Sequence, residues 1–235
     1  MSVELREQAL VRGRRPSSLL FYRFVRGTLR LLVNPWVRVR SANTQVLDEP
    51  GPTILAPVHR SHLDSALIAA QCSRRIRALG KESLFTTPGV SWVCAALGAI
   101  PVRRGEADRE ALAAARTLLD AGEAMIVFPE GGRRSGDRID ELYDGAAWLA
   151  ARTGARVVPI GVAGTERALP MGARFVHRSH VGIVVGEPMA APIPTDGTRV
   201  KRDQLRAFTA ELTERLQRAQ DEAVALAAGT TRARR

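Results

Sequence analysis

From residue 53 onward, short uninterrupted apolar runs alternate with stretches whose apolar residues recur at helical spacing. The runs at 53–57, 76–79, 99–102, 124–128, 157–162 and 181–185 read as strands. Helical patterns at 63–72, 90–97, 107–121 and 142–152 fill the gaps, and a last helix over 202–228 follows a Pro- and Gly-containing linker at 188–198. This alternation predicts an α/β fold, a single domain with a mostly parallel central sheet flanked by helices. A length of 235 residues with 45% hydrophobic residues is enough for one large domain with a sizeable core. The expected organisation is a basic N-terminal segment, 1–42, carrying an amphipathic helix, then the α/β domain, 43–229, and a basic tail, 230–235.

In a sheet of this kind, chemistry collects at the carboxyl ends of the strands. Four segments follow predicted strands directly and turn polar or glycine-rich there: VHRSHLDS (58–65), VRRGE (102–106), FPEGGRRSG (128–136) and VAGTE (162–166). The first holds two of the chain's four histidines beside an aspartate. On a continuous helix His59 and Asp64 would point about 140° apart. They meet only if the chain turns at Arg60-Ser61 and a helix begins near His62. Asp64 then takes the ring N–H of His59, and the other ring nitrogen faces the cleft as a general base. A metal site built on His59, His62 and Asp64 is the alternative, but no second cluster with zinc spacing accompanies it, and no metal is expected. His177 and His180 precede a strand without a nearby acid and read as loop residues.

The segment 128–136 joins a carboxylate, two adjacent flexible glycines (131 and 132) and two guanidiniums in one loop. Glycine lets backbone N–H groups approach a phosphate or an oxyanion, and arginine binds phosphate in bidentate fashion. The chain lacks both G-x-x-x-x-G-K-[ST] and G-x-S-x-G, which disfavours a P-loop nucleoside triphosphatase and the common kind of serine esterase.

Charge is unevenly placed. Of a formal net charge of +11, residues 1–40 contribute nine arginines against two glutamates, and 41–231 is close to neutral. A cationic front end calls for an anionic partner, nucleic acid or a membrane surface. Within LLFYRFVRGTLRLLV (19–33), Arg23, Arg26 and Arg30 share one helical face, with Leu and Phe opposite. That is the pattern of a helix lying in a membrane interface; an amphipathic helix packed on its own domain is the plainer alternative. No nucleic-acid reading motif accompanies the arginines, so no nucleic acid is expected. No apolar h-region precedes residue 19, and the longest apolar stretch, 90–102, is 13 residues and contains Gly98 and Pro101. That is short of the roughly 18–20 needed to span a membrane. Peripheral attachment at the cytoplasmic face of a membrane is therefore expected. Cys72 and Cys94 read as reduced core cysteines.

Taken together, these segments resemble the glycerolipid acyltransferases, the family of the 1-acylglycerol-3-phosphate acyltransferases. The family's H-x-x-x-x-D is met by His59 and Asp64; Val58 stands where asparagine is often found. A K-x-x-L signature with a later glycine and arginine is met by Lys81, Leu84 and Arg104, with Ser91 at the glycine. F-P-E-G-T-R-S appears as Phe128-Pro129-Glu130-Gly131-Gly132-Arg133, and the apolar strand with a proline as Val157-Val158-Pro159-Ile160. The resemblance implies transfer of a fatty acyl group from acyl-CoA or acyl carrier protein to a hydroxyl of a glycerol-phosphate-type acceptor, lysophosphatidate or glycerol 3-phosphate, in phospholipid biosynthesis, without a cofactor or an acyl-enzyme. In it, His59 is the base and Asp64 its partner, while Lys81, Arg104, Glu130, Gly131, Gly132 and Arg133 hold the acceptor. The departures at Ser91 and Gly132 leave the acceptor open to other lysolipids or glycolipids. A hydrolase using the same dyad and a non-catalytic lipid-binding protein are the rivals.

Overall fold

A computed structural model describes residues 2–102, 109–194, 197 and 199–229. Its centre is a seven-stranded sheet made of β1 (Val39–Ala42), β2 (Thr53–Pro57), β3 (Ile76–Lys81), β4 (Ala99–Val102), β5 (Ala124–Ile126), β6 (Arg156–Ala163) and β7 (Val181–Val185). The strand order is β1-β7-β6-β2-β5-β3-β4. All pairings are parallel except β6 with β7, so β1 and β7 run against the other five. Every residue of β2 and β7 is buried. Their unbroken apolar runs are what a strand covered on both faces requires.

The helices are α1 (Ser2–Arg14), α2 (Pro16–Thr28), α3 (Asn34–Trp36), α4 (Leu63–Gln71), α5 (Pro88–Ala96), α6 (Arg109–Asp120), α7 (Gly145–Thr153), α8 (Thr165–Ala168) and α9 (Arg202–Ala228). Between α2 and α3 the chain makes a π-helical turn, Leu29–Val33. The long α9 lies on β6 and β7. At Gly161 and Gly182 a Cβ atom would collide with backbone of Ala219 and Ala223, so glycine is what allows the helix to press onto the strands. One continuous core runs through both layers, from Leu47 and Ile54 to Ile183, Leu212 and Leu216.

Strands expected from the apolar runs are present, with two shifts. Strand β5 stops at Ile126 rather than at 128, because Phe128 leaves the sheet to stack on His59. Helix α7 begins at Gly145 rather than 142, since Tyr143 N–H bonds back to Pro129 O at 2.9 Å and holds the preceding loop. Strand β1 lies at the end of the segment expected to be an N-terminal appendage, 1–42, and pairs in register with β7, Val39 opposite Val181. The front end also holds a helix the periodicity did not suggest. α1 packs on α5 and β4, and the buried Arg6 Nε donates to Pro101 O at 3.1 Å.

α2 is oriented in a way its pattern did not reveal. Arg26 donates to the carbonyls of Cys72 and Ser73, and Arg30 to those of Ala70 and Cys72. These are the open carbonyls at the C-terminus of α4, where the helix dipole favours cations. Of the three arginines expected to share one helical face, Arg26 and Arg30 therefore point into the protein. Tyr22 is buried beside them, its hydroxyl accepting the Ile76 N–H at 3.2 Å. The apolar side is left outward: Leu20 and Phe24 are each 69% exposed, Leu31 76% and Leu32 66%.

Candidate active site

The segment after β2 makes the turn its spacing required. His59 and Arg60 leave the strand, His62 stands at the N-cap of α4, and Asp64 lies in that helix's first turn. His59 Nδ1 lies 2.9 Å from Asp64 Oδ2. The same oxygen accepts the backbone N–H groups of Arg60 at 2.7 Å and Ser61 at 2.8 Å. Its partner Oδ1 accepts the hydroxyl of Thr165 at 2.6 Å. Asp64 and Thr165 are fully buried. A carboxylate acceptor makes Nδ1 the donor, which puts the lone pair of the imidazole on Nε2. Nε2 has no hydrogen-bond partner among the described residues. The ring is fixed on its other side by Phe128, stacked at 3.8 Å between centroids. A neutral imidazole held in this way can take a proton from a hydroxyl brought to Nε2.

The loop after β5 is tied to this turn by ion pairing. Glu130 is fully buried, with Oε2 accepting the His59 N–H at 2.7 Å. Arg60 Nη1 reaches Oε1 at 2.8 Å and Oε2 at 2.9 Å. Arg60 also donates to the carbonyls of Gly136 at 2.7 Å and Arg138 at 3.3 Å, and Arg134 N–H closes back on His59 O at 2.8 Å. The resemblance gives Glu130 an acceptor contact, whereas the carboxylate here braces the turn after β2. Both of its oxygens point inward and hold the histidine and the loop, which is what an unexposed charge requires. Gly131 adopts φ +68°, and a Cβ there would lie 2.6 Å from the Tyr143 ring, so a side chain at this point is excluded twice over.

Gly132 and Arg133 follow on the rim of the same loop, half-buried, and Lys81 ends β3 exposed to solvent. Arg133 and Lys81 make no hydrogen bond or ion pair among the described residues. Strand β5 lies between β2 and β3, so these two cations and His59 share the carboxyl edge of three neighbouring strands. Arg104 lies outside the described residues. Ser91 is buried on α5, its hydroxyl accepting from Arg12 Nη1 at 3.4 Å, so that departure from the family pattern belongs to the packing of α1. His62 is exposed, and no group of three or more His, Cys, Asp or Glu side chains is gathered to hold a metal among the described residues.

Sequence reasoning missed Arg60, Thr165 and the stacking of Phe128. Thr165 lies in a segment already conspicuous for its place after a strand, VAGTE, and a buried hydroxyl there was the available signal. Arg60 carried no signal beyond adjacency to His59, since its partner is 70 residues away.

The fold and site define an α/β protein with a buried, tautomer-fixing His–Asp pair at the carboxyl edge of a mostly parallel sheet, beside a glycine- and arginine-containing loop. A family model described as Acyltransferase matches residues 38–163, more than half of the chain. The chain belongs to this family, the glycerolipid acyltransferases. It is 27% identical over 141 residues to the chloroplastic 1-acyl-sn-glycerol-3-phosphate acyltransferase of Arabidopsis thaliana, covering 59% of this chain and 39% of that protein. It is 23% identical over 200 residues to a 1-acyl-sn-glycerol-3-phosphate acyltransferase of Bacillus subtilis, covering 83% of this chain and 94% of that one. The chain spans about half the length of the plant and algal relatives it matches, or less. Its fold is similar to that of the crystal structure of the 1-acyl-sn-glycerophosphate acyltransferase of Thermotoga maritima, with TM-score 0.62, 20% identity and coverage of 94% and 97% of the two chains.

Proposed function

We propose that this chain transfers a fatty acyl group from a thioester, acyl-CoA or acyl carrier protein, to the free hydroxyl of a phosphorylated glycerolipid, with 1-acylglycerol 3-phosphate as the first acceptor to test. The observation that carries this reading is the 2.9 Å contact between His59 Nδ1 and Asp64 Oδ2, which leaves Nε2 for the acceptor hydroxyl. His59 takes the hydroxyl proton as the oxygen attacks the thioester carbonyl. The tetrahedral intermediate then collapses, the C–S bond breaks, and the leaving thiolate recovers the proton from the imidazolium. Asp64 holds the ring and stabilises its charge, and Thr165 and Glu130 hold Asp64 and the His59 backbone in turn. Arg133, Lys81 and Arg104 bind the acceptor's phosphate, as arginine and lysine do for dianions. No acyl-enzyme and no cofactor enter.

Among the described residues no helix is long and apolar enough to cross a membrane. The outward apolar side of α2 and the π-turn supports attachment of the chain to a membrane as a surface element, on the cytoplasmic face where thioester donors are made. Phe21 and Trp92 meet at 4.9 Å and join this face to the partly exposed apolar residues of α5.

The test is incubation of the purified chain with radiolabelled acyl-CoA and a panel of glycerol 3-phosphate, lysophosphatidate, other lysophospholipids and glycolipids. Label in a diacyl phospholipid supports transfer, and His59→Ala should lower it by about 10²- to 10⁴-fold. Release of free fatty acid alone makes the chain a hydrolase, and binding without turnover makes it a lipid-binding protein.

A further inference from the structure

At the end of the sheet opposite His59 there is a second cationic site. α4 descends from the site and ends at Gln71, and the turn Ser73–Arg75 then feeds the start of β3. Between that turn and α2 lies a groove of about 500 Å³, lined by Leu19, Leu20, Arg23 and Arg26 of α2 and by Arg74 and Arg75 of the turn. No carboxylate lines it. Two acids act on these arginines from outside the lining: Asp48, which accepts the Ser73 N–H at 2.6 Å, and Glu123, which pairs with Arg77 at 2.5 Å.

The arginines here are held by carbonyls, which orient a guanidinium without neutralising it. Arg74 donates to Glu49 O, Gly51 O and Gly122 O, and Arg75 to Gly13 O, Ala95 O and Ala96 O. Donors remain over. Arg75 Nε is buried with no acceptor, Arg26 uses only Nη1, and Arg23 makes no hydrogen bond or ion pair among the described residues. Burial, and then the neighbouring Arg77, push the Arg75 guanidinium down to about 10 from an ordinary 12.5. Arg74 is lowered by burial and by Arg156. Four cations with uncommitted N–H groups beside two leucines, and no carboxylate in the lining, form a receptor for an anion that carries hydrocarbon.

We propose that this groove binds the phosphate of an anionic phospholipid, with Leu19 and Leu20 against the first carbons of its acyl chains, separately from the acceptor bound at His59. The choice of a lipid over free phosphate rests on the reading of α2 as a membrane-facing helix. Leu20 belongs both to the groove and to the outward apolar side, so a headgroup seated among the arginines has its tails beside the membrane-facing residues. The lipid phosphate completes the arginine cluster, docks α2 against the 73–75 turn and fixes the depth at which the chain sits.

The test is calorimetric titration of the full chain, with no acyl donor present, by monomeric dihexanoyl phosphatidylglycerol, dihexanoyl phosphatidylcholine and inorganic phosphate. Because no turnover is read and no bilayer is present, the result stands whatever the acyl-transfer assay gives. The expected order is phosphatidylglycerol tightest, with phosphate and phosphatidylcholine at least tenfold weaker. Arg23→Glu and Ser73→Glu each place a carboxylate in the groove from an exposed position, and each should weaken phosphatidylglycerol by about ten- to a hundred-fold. Both variants should unfold at the wild-type temperature, which separates a binding loss from a folding loss. Phosphate binding as tightly as phosphatidylglycerol would overturn the lipid as occupant. Affinity that survives both variants, or that falls instead in Arg133→Ala, would overturn the site, since the lipid would then be seated elsewhere or at the acceptor loop.

Discussion

Replacing Arg60 by methionine tests whether Glu130 is part of the scaffold or an acceptor contact. The side chain of Arg60 is 2% exposed and that of Glu130 0%, and their contacts are 2.8 and 2.9 Å. Removing one member of a buried pair leaves the other charged without its partner and costs about 3–5 kcal/mol. For a chain of this size each kcal/mol lowers the unfolding temperature by roughly 2–4 °C, so Arg60→Met should lower it by about 6–20 °C. Glu130→Gln should cost a comparable amount, because its amide NH₂ must face either the His59 N–H or the Arg60 guanidinium, both donors. The double variant restores a consistent set: the new amide's oxygen accepts the His59 N–H and nothing opposes its NH₂. It should therefore be more stable than the two single effects predict, by an interaction energy of about 1–3 kcal/mol. Thermal and urea unfolding of the four proteins measure this cycle. If Glu130→Gln instead unfolds at the wild-type temperature and raises only the KM for a phosphorylated acceptor, the scaffold argument fails and Glu130 contacts the acceptor after all.

Three further outcomes are expected. Thr165→Val removes the hydroxyl that Asp64 Oδ1 accepts at 2.6 Å; kcat should fall about tenfold with acceptor KM unchanged, and Thr165→Ser should restore it, whereas a rise in KM alone would refute a positioning role. Leu20→Ser with Phe24→Ser should cut partition of the chain into phospholipid vesicles by about tenfold for each residue; unchanged co-sedimentation would refute the membrane face. Burial, and then Asp48, push the Cys72 thiol up to about 12 from 9.0. The folded state therefore holds this proton more tightly than the unfolded chain, so the thiol's contribution to stability is whole below pH 9 and is lost as pH rises toward 12. Urea midpoints across that window should fall more steeply for the wild type than for Cys72→Ala, and identical slopes would refute the assignment.

Several features were legible in the chain alone because their causes are local. A short apolar run of four or five residues with turn formers on either side reads as a strand wherever the chain puts it, which is why β2, β4 and β7 lie where periodicity places them. The pairing of His59 with Asp64 was likewise decidable, since a turn closing over five residues has few solutions and only one brings the two side chains together. Composition located the positive charge at the front of the chain, and the amphipathic pattern of 19–33 gave α2 its two faces.

What the pattern could not supply was which face met the protein. A helix with arginines on one side and leucines on the other satisfies its own periodicity in either orientation. The decision came from the C-terminus of α4, whose open carbonyls at Ala70, Cys72 and Ser73 need donors that only Arg26 and Arg30 bring within reach. The role of Glu130 was hidden in the same way. Its neighbours in sequence suggested a phosphate loop, but its partners are His59 and Arg60, 71 and 70 residues away. Thr165 reaches Asp64 across 101 residues, and β1 becomes a strand only because the edge of β7 offers it a ladder. Side chains whose partners lie nearby in sequence announce themselves through spacing. Those whose partners are set by the order of strands in a sheet do not, because a burial penalty arises only when the fold closes over the charge.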